Sequence, residues 1–468
     1  MLTIAIKFIR KVELMEFHAL KVIKKDKRDI NRYLKEILKY IVIFVGTTAF
    51  LLLLLVLTAL IPKDAIKNNL IESADFLKNK KGIEEHVEKR DYGLIHYYAD
   101  SVILNIINGI DSSKPLKSVM WSNYYETILA DVNIDFIKAV NENKEPNQQY
   151  IRYWHGSMVV LRPLLLIFNL EQLYLINKVF LFALSIMLFI LLFIKNKKLS
   201  IVYLLSLIMI VFRIVPMCFE YTWTFYIMFA TSIISILIEK KGDKYLYTLF
   251  FITGIITCFF DFLTTEIITV FVPLLFVLWI RKEENRIANF KECFILVLKI
   301  SIFWTVAYIL MWFTKWFLAS VILNINALDY VKEKAFIRIN GLSKFQTKKE
   351  LYSDSLYRNF HTLYPLNAIE KISYIWTCIG VLLTIIIINI DWKNIKKKWL
   401  SLMILLIGIT PYIRYLILAN HSYRHSFFTF RDQMITIIAL CIIVFDCFNK
   451  DLWFKIIKLS RGRIWKKS

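Results

Sequence analysis

The stretch IVIFVGTTAFLLLLLVLTALI, residues 41–61, decides the fold class of this protein. It carries no charged side chain, and it is as long as the roughly 20 apolar residues that an α-helix needs to cross a 30 Å hydrocarbon core. Residues 180–194 and 378–390 are further runs without a charge. These runs are continuously apolar rather than alternating, which favours helices, because a helix satisfies its own backbone groups in lipid.

The composition of the whole chain leads to the same fold class. The 468 residues are 57% hydrophobic and 15% aromatic, and the mean hydropathy is +0.53. Soluble domains carry only roughly 45–50% apolar residues, even when glycine is counted. We therefore predict an all-α, polytopic transmembrane helical bundle of about ten helices with a large outer loop of amphipathic helices. The predicted spans are residues 40–61, 174–194, 199–217, 223–238, 245–262, 266–280, 293–318, 372–390, 399–418 and 427–446.

Basic residues in the short loops predict the orientation of the chain. Lysine and arginine are concentrated in loops that share one predicted side with both termini, namely residues 195–198, 239–244, 281–292 and 391–398. Because cytoplasmic loops carry the excess of Lys and Arg, we predict a multi-pass plasma-membrane protein with both termini cytoplasmic. The net charge of +23 is then a signal of topology and of contact with anionic membrane lipid. No nucleic-acid-binding motif occurs in the sequence, and we expect no nucleic-acid partner.

The same topology divides the chain into five parts. These are a basic cytoplasmic N-terminal segment (1–39), a transmembrane module (40–318) that includes an outer loop (62–158), a second outer loop (319–371), C-terminal transmembrane helices (372–447) and a basic cytoplasmic tail (448–468). The two outer loops are too long to be simple connectors, and loops of that length are usually functional or disordered. Apolar stripes with helical spacing at residues 66–77 and 95–107 instead predict amphipathic helices that lie on the membrane surface.

The second of these stripes carries the strongest candidate for a catalytic base. His96 and Asp100 are four residues apart, so they share one face of the predicted helix. A carboxylate at that place can accept a proton, whereas an exposed ion pair on an amphipathic helix is the plainer interpretation. Asp64 and Glu126 are the other candidate carboxylates of this outer loop.

Basic residues next to the predicted spans suggest an anionic ligand. The segment YIRYWHGSMVVLRPLLLIF, residues 150–168, contains Arg152, His155 and Arg162. Aromatic and basic residues at headgroup depth often only anchor a helix. Arginine also matches phosphate oxygens with a planar fork of donors, so the same residues suit a lipid-linked phosphate.

Further charged residues lie at the outer ends of the predicted spans. Charges at such depth are costly and usually face a bundle interior or a wet cavity, so we predict a polar chamber that binds substrate. The stretch NHSYRHSFFTFR, residues 420–431, would form the outer turn between the last two helices. The candidate substrate-binding residues at these span ends are Arg213, Glu220, Asp261, Glu266, Arg414, His421, Arg424, His425 and Arg431.

No cofactor follows with certainty from the sequence. The histidines His421 and His425 are four residues apart, which suits two ligands of a divalent metal, but no third ligand is in register. A divalent metal therefore stays an open alternative, and no metal-ligating residue is assigned. The six cysteines lie within or at the ends of predicted spans, which argues against a disulfide framework.

A long first span, a large outer loop and many short-looped spans with charges on the outer face resemble the GT-C class of membrane glycosyltransferases. The segments YADSVILN, RYWHG, LRPLLL, DFLTTE and NHSYRHSFFTFR also resemble those of polytopic membrane proteins of low-GC Gram-positive bacteria. This resemblance implies a sugar donor linked to polyprenyl phosphate, an outer-loop carboxylate as base, and a membrane lipid or envelope glycan as acceptor. Asp100 is favoured as that base over Asp64 and Glu126.

Two other classes of function remain open from the sequence. A flippase or transporter typically has repeated halves and helices broken by Gly or Pro, and no internal repeat is visible here. A polymerase or ligase of lipid-linked glycans would share the lipid-linked donor and an arginine-rich outer face. The sequence therefore hardly distinguishes such an enzyme from a glycosyltransferase. The charged outer cluster disfavours a non-catalytic membrane scaffold.

Overall fold

The protein is an all-α polytopic membrane protein. A computed structural model describes residues 34–85, 93–128, 131–287, 289–341, 347–363 and 399–447. The chain divides into two compact units, residues 1–50 and residues 51–468. Described residues of the first unit lie in α1 (Leu34–Ala59), whose last residues belong to the second unit.

The second unit contains the last residues of α1, then residues 62–168, which we call the first outer segment after their predicted side of the membrane, and then a helical bundle. The outer segment contains α2 (Lys63–Leu77), β1 (Glu84–Glu85), β2 (Leu94–Ile95), α3 (Tyr97–Asn108), α4 (Pro115–Trp121), α5 (Val132–Asn141) and α6 (Met158–Leu164). The bundle that follows contains α7 (Leu170–Lys195), α8 (Lys197–Met209), a 3₁₀ helix (Phe212–Met217), α9 (Phe219–Ile238), α10 (Asp243–Phe260), α11 (Ile268–Glu283) and α12 (Phe290–Leu323).

The second outer segment and the last spans complete the unit. The helices of this outer segment are α13 (Ala327–Asn340) and α14 (Lys348–Thr362). The final part contains α15 (Trp399–Gly408), α16 (Thr410–Ile417), α17 (Ala419–Arg424), α18 (Ser426–Thr429), a second 3₁₀ helix (Phe430–Gln433) and α19 (Met434–Cys447). The strands β1 and β2 form a two-residue antiparallel ladder.

Seven helices among the described residues are long and apolar enough to cross a membrane. They are α1, α7, α9, α10, α12, the α15–α16 pair as Trp399–Ile417, and the run Ser426–Asp446. Each agrees with one of the ten predicted spans. The predicted span 372–390 lies outside the described residues.

The predicted spans 199–217 and 266–280 are not among these seven helices. In the first, α8 has only 13 residues, and Val211 adopts the left-handed conformation (φ 55°) before a 3₁₀ helix that contains Pro216. A β-branched residue rarely adopts positive φ, and proline cannot donate an intrahelical hydrogen bond, so the α-helix does not continue. In the second, α11 begins two residues late, at Ile268, and has 16 residues.

The helix α3 is buried, whereas its sequence pattern predicts a helix on the membrane surface. Ten of its 12 residues are buried, and it packs against α5, α2 and α9. Its polar side chains find partners inside the outer segment: Ser101 Oγ donates to Asn133 Oδ1 (2.7 Å) and Asn105 Nδ2 to the carbonyl of Tyr125 (2.8 Å). These internal hydrogen bonds offset the free-energy cost of burying the polar groups.

The outer segment is attached to α12 by two deep polar contacts. The Lys315 ammonium donates to the carbonyls of Val119 and Met120, both at 3.1 Å, and the Trp154 indole donates to the carbonyl of Met311 (3.0 Å). Both side chains are fully buried, so their donors would lose all hydrogen bonding if the segment moved away. The outer segment is therefore a fixed part of the second unit.

Ion pairs join the helix ends on the side of the bundle that carries the basic loops. Arg281 contacts Asp243 (2.6 Å) and Glu239 (3.6 Å), and Lys282 contacts Asp446 (2.9 Å). These contacts connect the ends of α9, α10, α11 and α19. The residues of the site described below lie at the other end of α9, about 30 Å away along its 20 residues.

Candidate functional site

A polar cavity of about 420 Å³ lies where the outer segments meet the ends of α9, α10 and the last spans. Besides three tyrosines, the ionisable groups of its described lining are three arginines, four histidines and a single carboxylate. These residues are His96, Arg152, His155, Glu220, Arg338, His421, Arg424 and His425. An excess of fixed positive charge and hydrogen-bond donors favours an anionic ligand.

Arg338 is held between the two histidines of the NHSYRHSFFTFR stretch. Its Nη1 lies 2.8 Å from Nδ1 of His421 and 3.0 Å from Nε2 of His425. Since a guanidinium can only donate, both ring nitrogens accept, and both histidines are neutral. Burial, with the neighbouring cations, holds the pKa of His421 well below its usual range and lowers that of His425 to about 3.

The backbone fixes His421 in one tautomer. Its Nε2 donates to the carbonyl of Leu263 (2.7 Å), which leaves Nδ1 as the acceptor for Arg338. Leu263 itself has positive φ (64°), and its loop is held by Asp261, whose carboxylate accepts from the amides of Leu263 (2.9 Å) and Thr264 (3.0 Å). A strained residue that orients a side chain of a cavity is typical of binding sites.

His96 and Glu220 form a hydrogen-bonded pair in another part of the cavity wall. His96 Nδ1 lies 2.5 Å from Glu220 Oε2, and the imidazole ring is stacked parallel to the rings of Tyr98 and Tyr221. His96 precedes α3, and Glu220 lies in the first turn of α9. Glu220 is the only carboxylate among the described lining residues, so it is the only lining group that can act as a carboxylate base.

The RYWHG stretch places His155 in the wall by a backbone that depends on glycine. His155 has φ 55°, and a Cβ on Gly156 would lie 2.3 Å from the Phe259 ring and 2.5 Å from its carbonyl oxygen. His155 Nε2 donates to the carbonyl of Tyr150 (3.0 Å), while its Nδ1 is buried without a hydrogen-bond partner among the described residues. Because Nε2 donates, the unpartnered Nδ1 is an acceptor. Burial, together with the charges of Lys315 and Arg152, lowers the pKa of His155 to about 3.

Asp100, the favoured base in the sequence, does not line the cavity. Its carboxylate accepts from the hydroxyl of Tyr174 (2.7 Å) and from the backbone amides of Phe219 (3.0 Å) and Glu220 (3.3 Å). It therefore caps the N-terminus of α9 and orients the turn that carries Glu220. Burial raises the pKa of Asp100 to about 7, although these hydrogen bonds act in the opposite direction.

Arg414 and two acidic residues form a buried layer behind the cavity. Arg414 contacts Glu266 through two of its nitrogens (3.0 and 3.2 Å) and Asp432 at 3.5 Å, and it also donates to the carbonyl of Leu263 (2.7 Å). All three side chains of this triad are at most 6% exposed. Arg414, Glu266 and Asp261 therefore support the cavity loops instead of contacting a ligand.

Two further arginines from the sequence analysis bind protein groups outside the cavity. Arg162 donates to the carbonyls of Ile61 (2.7 Å) and Ile107, so it connects α6 with the ends of α1 and α3. Arg431 donates to the carbonyl of Phe427 (3.1 Å) and stacks over the ring of Tyr221 at 4.9 Å. Neither guanidinium lines the cavity, because each is directed into the protein interior.

Three other candidates lie elsewhere on the molecule. Asp64 is exposed in the first turn of α2. Glu126 lies in the outer segment, where its backbone amide and carbonyl pair with the Asn147 side chain. Arg213 is exposed beside a separate groove between α7 and α8.

An apolar cavity of about 230 Å³ adjoins the polar one, and both are lined by Arg152, Tyr153 and Arg338. Its walls are formed by α12 and α13. The remaining lining residues are Leu263, Ile309, Trp312, Phe313, Trp316, Val331, Ile339 and Leu418. The two arginines thus lie at the boundary between the polar cavity and the apolar pocket.

Sequence reasoning missed Arg338, the central cation of the site. It lies on α13 in the second outer segment, in the stretch FIRIN, where neither a motif nor a span end marks it. A lone arginine between apolar residues of an outer segment was the available signal. Tyr98, Tyr150 and Tyr153, which also line the cavity, were likewise not singled out.

The arrangement combines a wall rich in arginine and histidine, a carboxylate–histidine pair and a neighbouring apolar pocket. No group of three or more His, Cys, Asp or Glu side chains that could hold a metal ion occurs in the described part of the chain. Comparison with protein-family models, curated proteins and solved structures finds no match.

Proposed function

We propose that this protein is an integral membrane glycosyltransferase that transfers a sugar from a polyprenyl-phosphate donor to an envelope glycan or lipid on the outer face. One observation carries the proposal: Arg152 and Arg338 line both the polar cavity and the apolar pocket. A lipid-linked sugar phosphate has the same order of parts, namely an apolar chain, a phosphate and a polar sugar.

The phosphate is proposed to bind between Arg152 and Arg338. Planar guanidinium groups offer paired donors to phosphate oxygens, and Nε of Arg152 is buried without a hydrogen-bond partner among the described residues. The first isoprene units would pack on Trp312, Phe313 and Trp316 in the apolar pocket. The sugar would then extend into the polar cavity, toward Glu220.

The chemical step needs a base for the acceptor and stabilisation for the departing phosphate. Glu220 takes the proton of the acceptor hydroxyl while that oxygen bonds to the anomeric carbon of the sugar. The bond from this carbon to the phosphate oxygen breaks, and the lipid phosphate leaves with the bonding electrons. Arg152 and Arg338 stabilise its charge, and His96 orients the Glu220 carboxylate.

The proposal includes a GT-C-like fold of about ten spans in the plasma membrane, with both termini cytoplasmic. The cavity would then open on the outer face. Its supporting observation is the separation of the two helix ends: the basic loops lie with Arg281 and Lys282, and the cavity lies at the other end of α9.

Cysteine labelling of intact cells tests this orientation. In a background without the native thiols, Asn143→Cys should react with a membrane-impermeant maleimide, because it lies in the first outer segment. Asn285→Cys, in the loop after α11, should react only after the membrane is opened. Both positions are exposed, so access to the reagent depends on the side of the membrane. Labelling of Asn285→Cys in intact cells would reverse the proposed orientation.

A binding measurement tests the phosphate site. Arg338→Gln should weaken the binding of farnesyl phosphate to the purified protein by about tenfold to a hundredfold, as expected for charge-assisted hydrogen bonds of roughly 1.5–3 kcal/mol. Arg338→Lys should bind with intermediate affinity, since it keeps the charge but not the fork. Isothermal titration calorimetry provides the dissociation constants.

Two controls distinguish the contribution of the phosphate to binding from that of the isoprenoid chain and from that of the overall charge of the protein. Farnesol lacks the phosphate, so its binding should be the same in the wild-type protein and in Arg338→Gln. Arg358→Gln removes an exposed arginine of α14 that lines neither cavity, and it should leave farnesyl phosphate binding unchanged. Equal affinity of Arg338→Gln and wild type for farnesyl phosphate would contradict the proposed site.

A further inference from the structure

A third cavity, of about 570 Å³, lies between α7 and α8 and shares no lining residue with the other two. Its volume is within the roughly 300–1,000 Å³ of ordinary small-molecule sites. The walls are almost entirely apolar: Phe182, Ile186, Phe189, Leu204, Leu207 and Ile208. We call this cavity the α7–α8 groove.

The groove is open along an exposed, apolar surface of α7 and α8. Ile186 (56% exposed), Leu204 (47%) and Ile208 (54%) form its rim. At the floor, a hydrogen bond of 2.7 Å between the hydroxyls of Ser185 and Tyr203 joins the two helices. The two hydroxyl groups at the floor are therefore hydrogen-bonded to each other. The rest of the exposed groove surface, formed by both helices, is mainly apolar.

One end of the groove carries a positive charge. Arg213 follows the left-handed Val211 at the point where α8 gives way to the 3₁₀ helix, and it is exposed. Its guanidinium has no hydrogen bond or ion pair with any residue that the structure describes. The edge-on contact of Phe212 with Phe182 (5.4 Å between ring centres) fixes this end against α7. The break in α8 thus directs a single arginine to the mouth of an apolar groove.

We propose that the α7–α8 groove binds an anionic phospholipid of the surrounding bilayer, with one acyl chain in the groove and the phosphate on Arg213. A lipid phosphate neutralises the charge of this exposed arginine and matches the guanidinium donors, while the apolar rim beside it suits an acyl chain. The apolar walls would contact the acyl chain, and the cationic end would contact the phosphate next to it. This site is separate from the proposed donor site and does not depend on the proposed transfer reaction.

Native mass spectrometry of the purified full chain tests the proposal. Incubated with equal amounts of phosphatidylglycerol and phosphatidylcholine, the wild-type protein should retain phosphatidylglycerol preferentially. Arg213→Gln should reduce that retention about tenfold, because it removes the only charge among the described residues that line the groove. Lys178→Gln removes an exposed cation of α7 that lies outside the groove lining, and it should behave as wild type.

A second variant tests the apolar part of the groove. Ile208→Trp should fill the space between the helices without touching the charge, and it should also reduce phosphatidylglycerol retention. Arg213→Gln with wild-type retention would overturn the assignment, as would equal retention of the two lipids by the wild-type protein. If the wild-type protein retains neither lipid, the groove is covered by another part of the chain and the proposal is wrong.

Discussion

Glu220→Gln should reduce the turnover number for sugar transfer by about 100- to 10,000-fold, the range that a positioned general base contributes. Gln has nearly the same shape as Glu but cannot accept the proton of the acceptor hydroxyl. The effect should be large because Glu220 is the only carboxylate among the described lining residues of the polar cavity. Binding of farnesyl phosphate should be unchanged, since the proposed phosphate site is formed by Arg152 and Arg338.

The measurement is transfer of labelled sugar by purified protein in lipid nanodiscs, under single-turnover conditions. Glu126→Gln is the matched control, because it makes the same chemical change outside the cavity and should retain full activity. Asp100→Asn should lower thermal stability and reduce transfer only in part, because Asp100 caps α9 behind Glu220. Wild-type transfer by Glu220→Gln, with loss in Asp100→Asn or Asp64→Asn, would move the base to that residue. Undiminished transfer in all four variants would mean that none of these carboxylates is the base, whereas no transfer by the wild-type protein would favour a transporter.

Arg414→Gln should destabilise the protein by about 3–5 kcal/mol, the usual cost of breaking a buried ion pair by removing one partner. The substitution leaves Glu266 and Asp432 buried without their common cation. The carbonyl of Leu263 also loses a donor. We expect a marked fall of the midpoint temperature of unfolding. The intrinsic fluorescence of the protein in detergent measures this midpoint.

A double variant shows whether this loss comes from uncompensated charge. Arg414→Gln with Glu266→Gln removes one carboxylate together with the cation, so it should regain part of the lost stability. Arg358→Gln is the control for loss of an exposed arginine; because its guanidinium lies 4.0 Å from the centre of the Tyr423 ring, a change of about 0.5–1 kcal/mol is expected. An unfolding midpoint of Arg414→Gln equal to that of the wild type would mean that the buried triad contributes no stability.

The neutral state of His421 and His425 limits the pH dependence that the site can have. Both histidines accept from Arg338, and burial keeps their pKa values far below neutral pH. They therefore stay uncharged across the physiological range and orient Arg338 rather than adding positive charge. The two histidines of the stretch 420–431 thus support one arginine of another helix.

The sequence by itself determined the membrane class and most of the helices. Long apolar runs specify transmembrane helices, because lipid offers no partner for an unpaired backbone group. It also indicated that charged residues at one set of helix ends form a polar chamber, and seven of the candidates line it together: His96, Arg152, His155, Glu220, His421, Arg424 and His425. The shortened α8 was not predictable from hydropathy, since its break depends on the backbone conformation of Val211.

Only the tertiary structure decided which of the charged residues face the cavity and which support it. Asp100 and Glu220 are 120 residues apart in the chain. The packing of α3 against the N-terminus of α9 decides which of the two carboxylates faces the cavity and which one caps the helix. Arg338 has no local signal, because its environment is made by His421 and His425 from the last spans. A sequence records which side chains can carry charge. The distance between two charges is set by the packing of helices that are far apart in the chain. That distance decides whether a charged side chain can bind a ligand or is already bound to another residue.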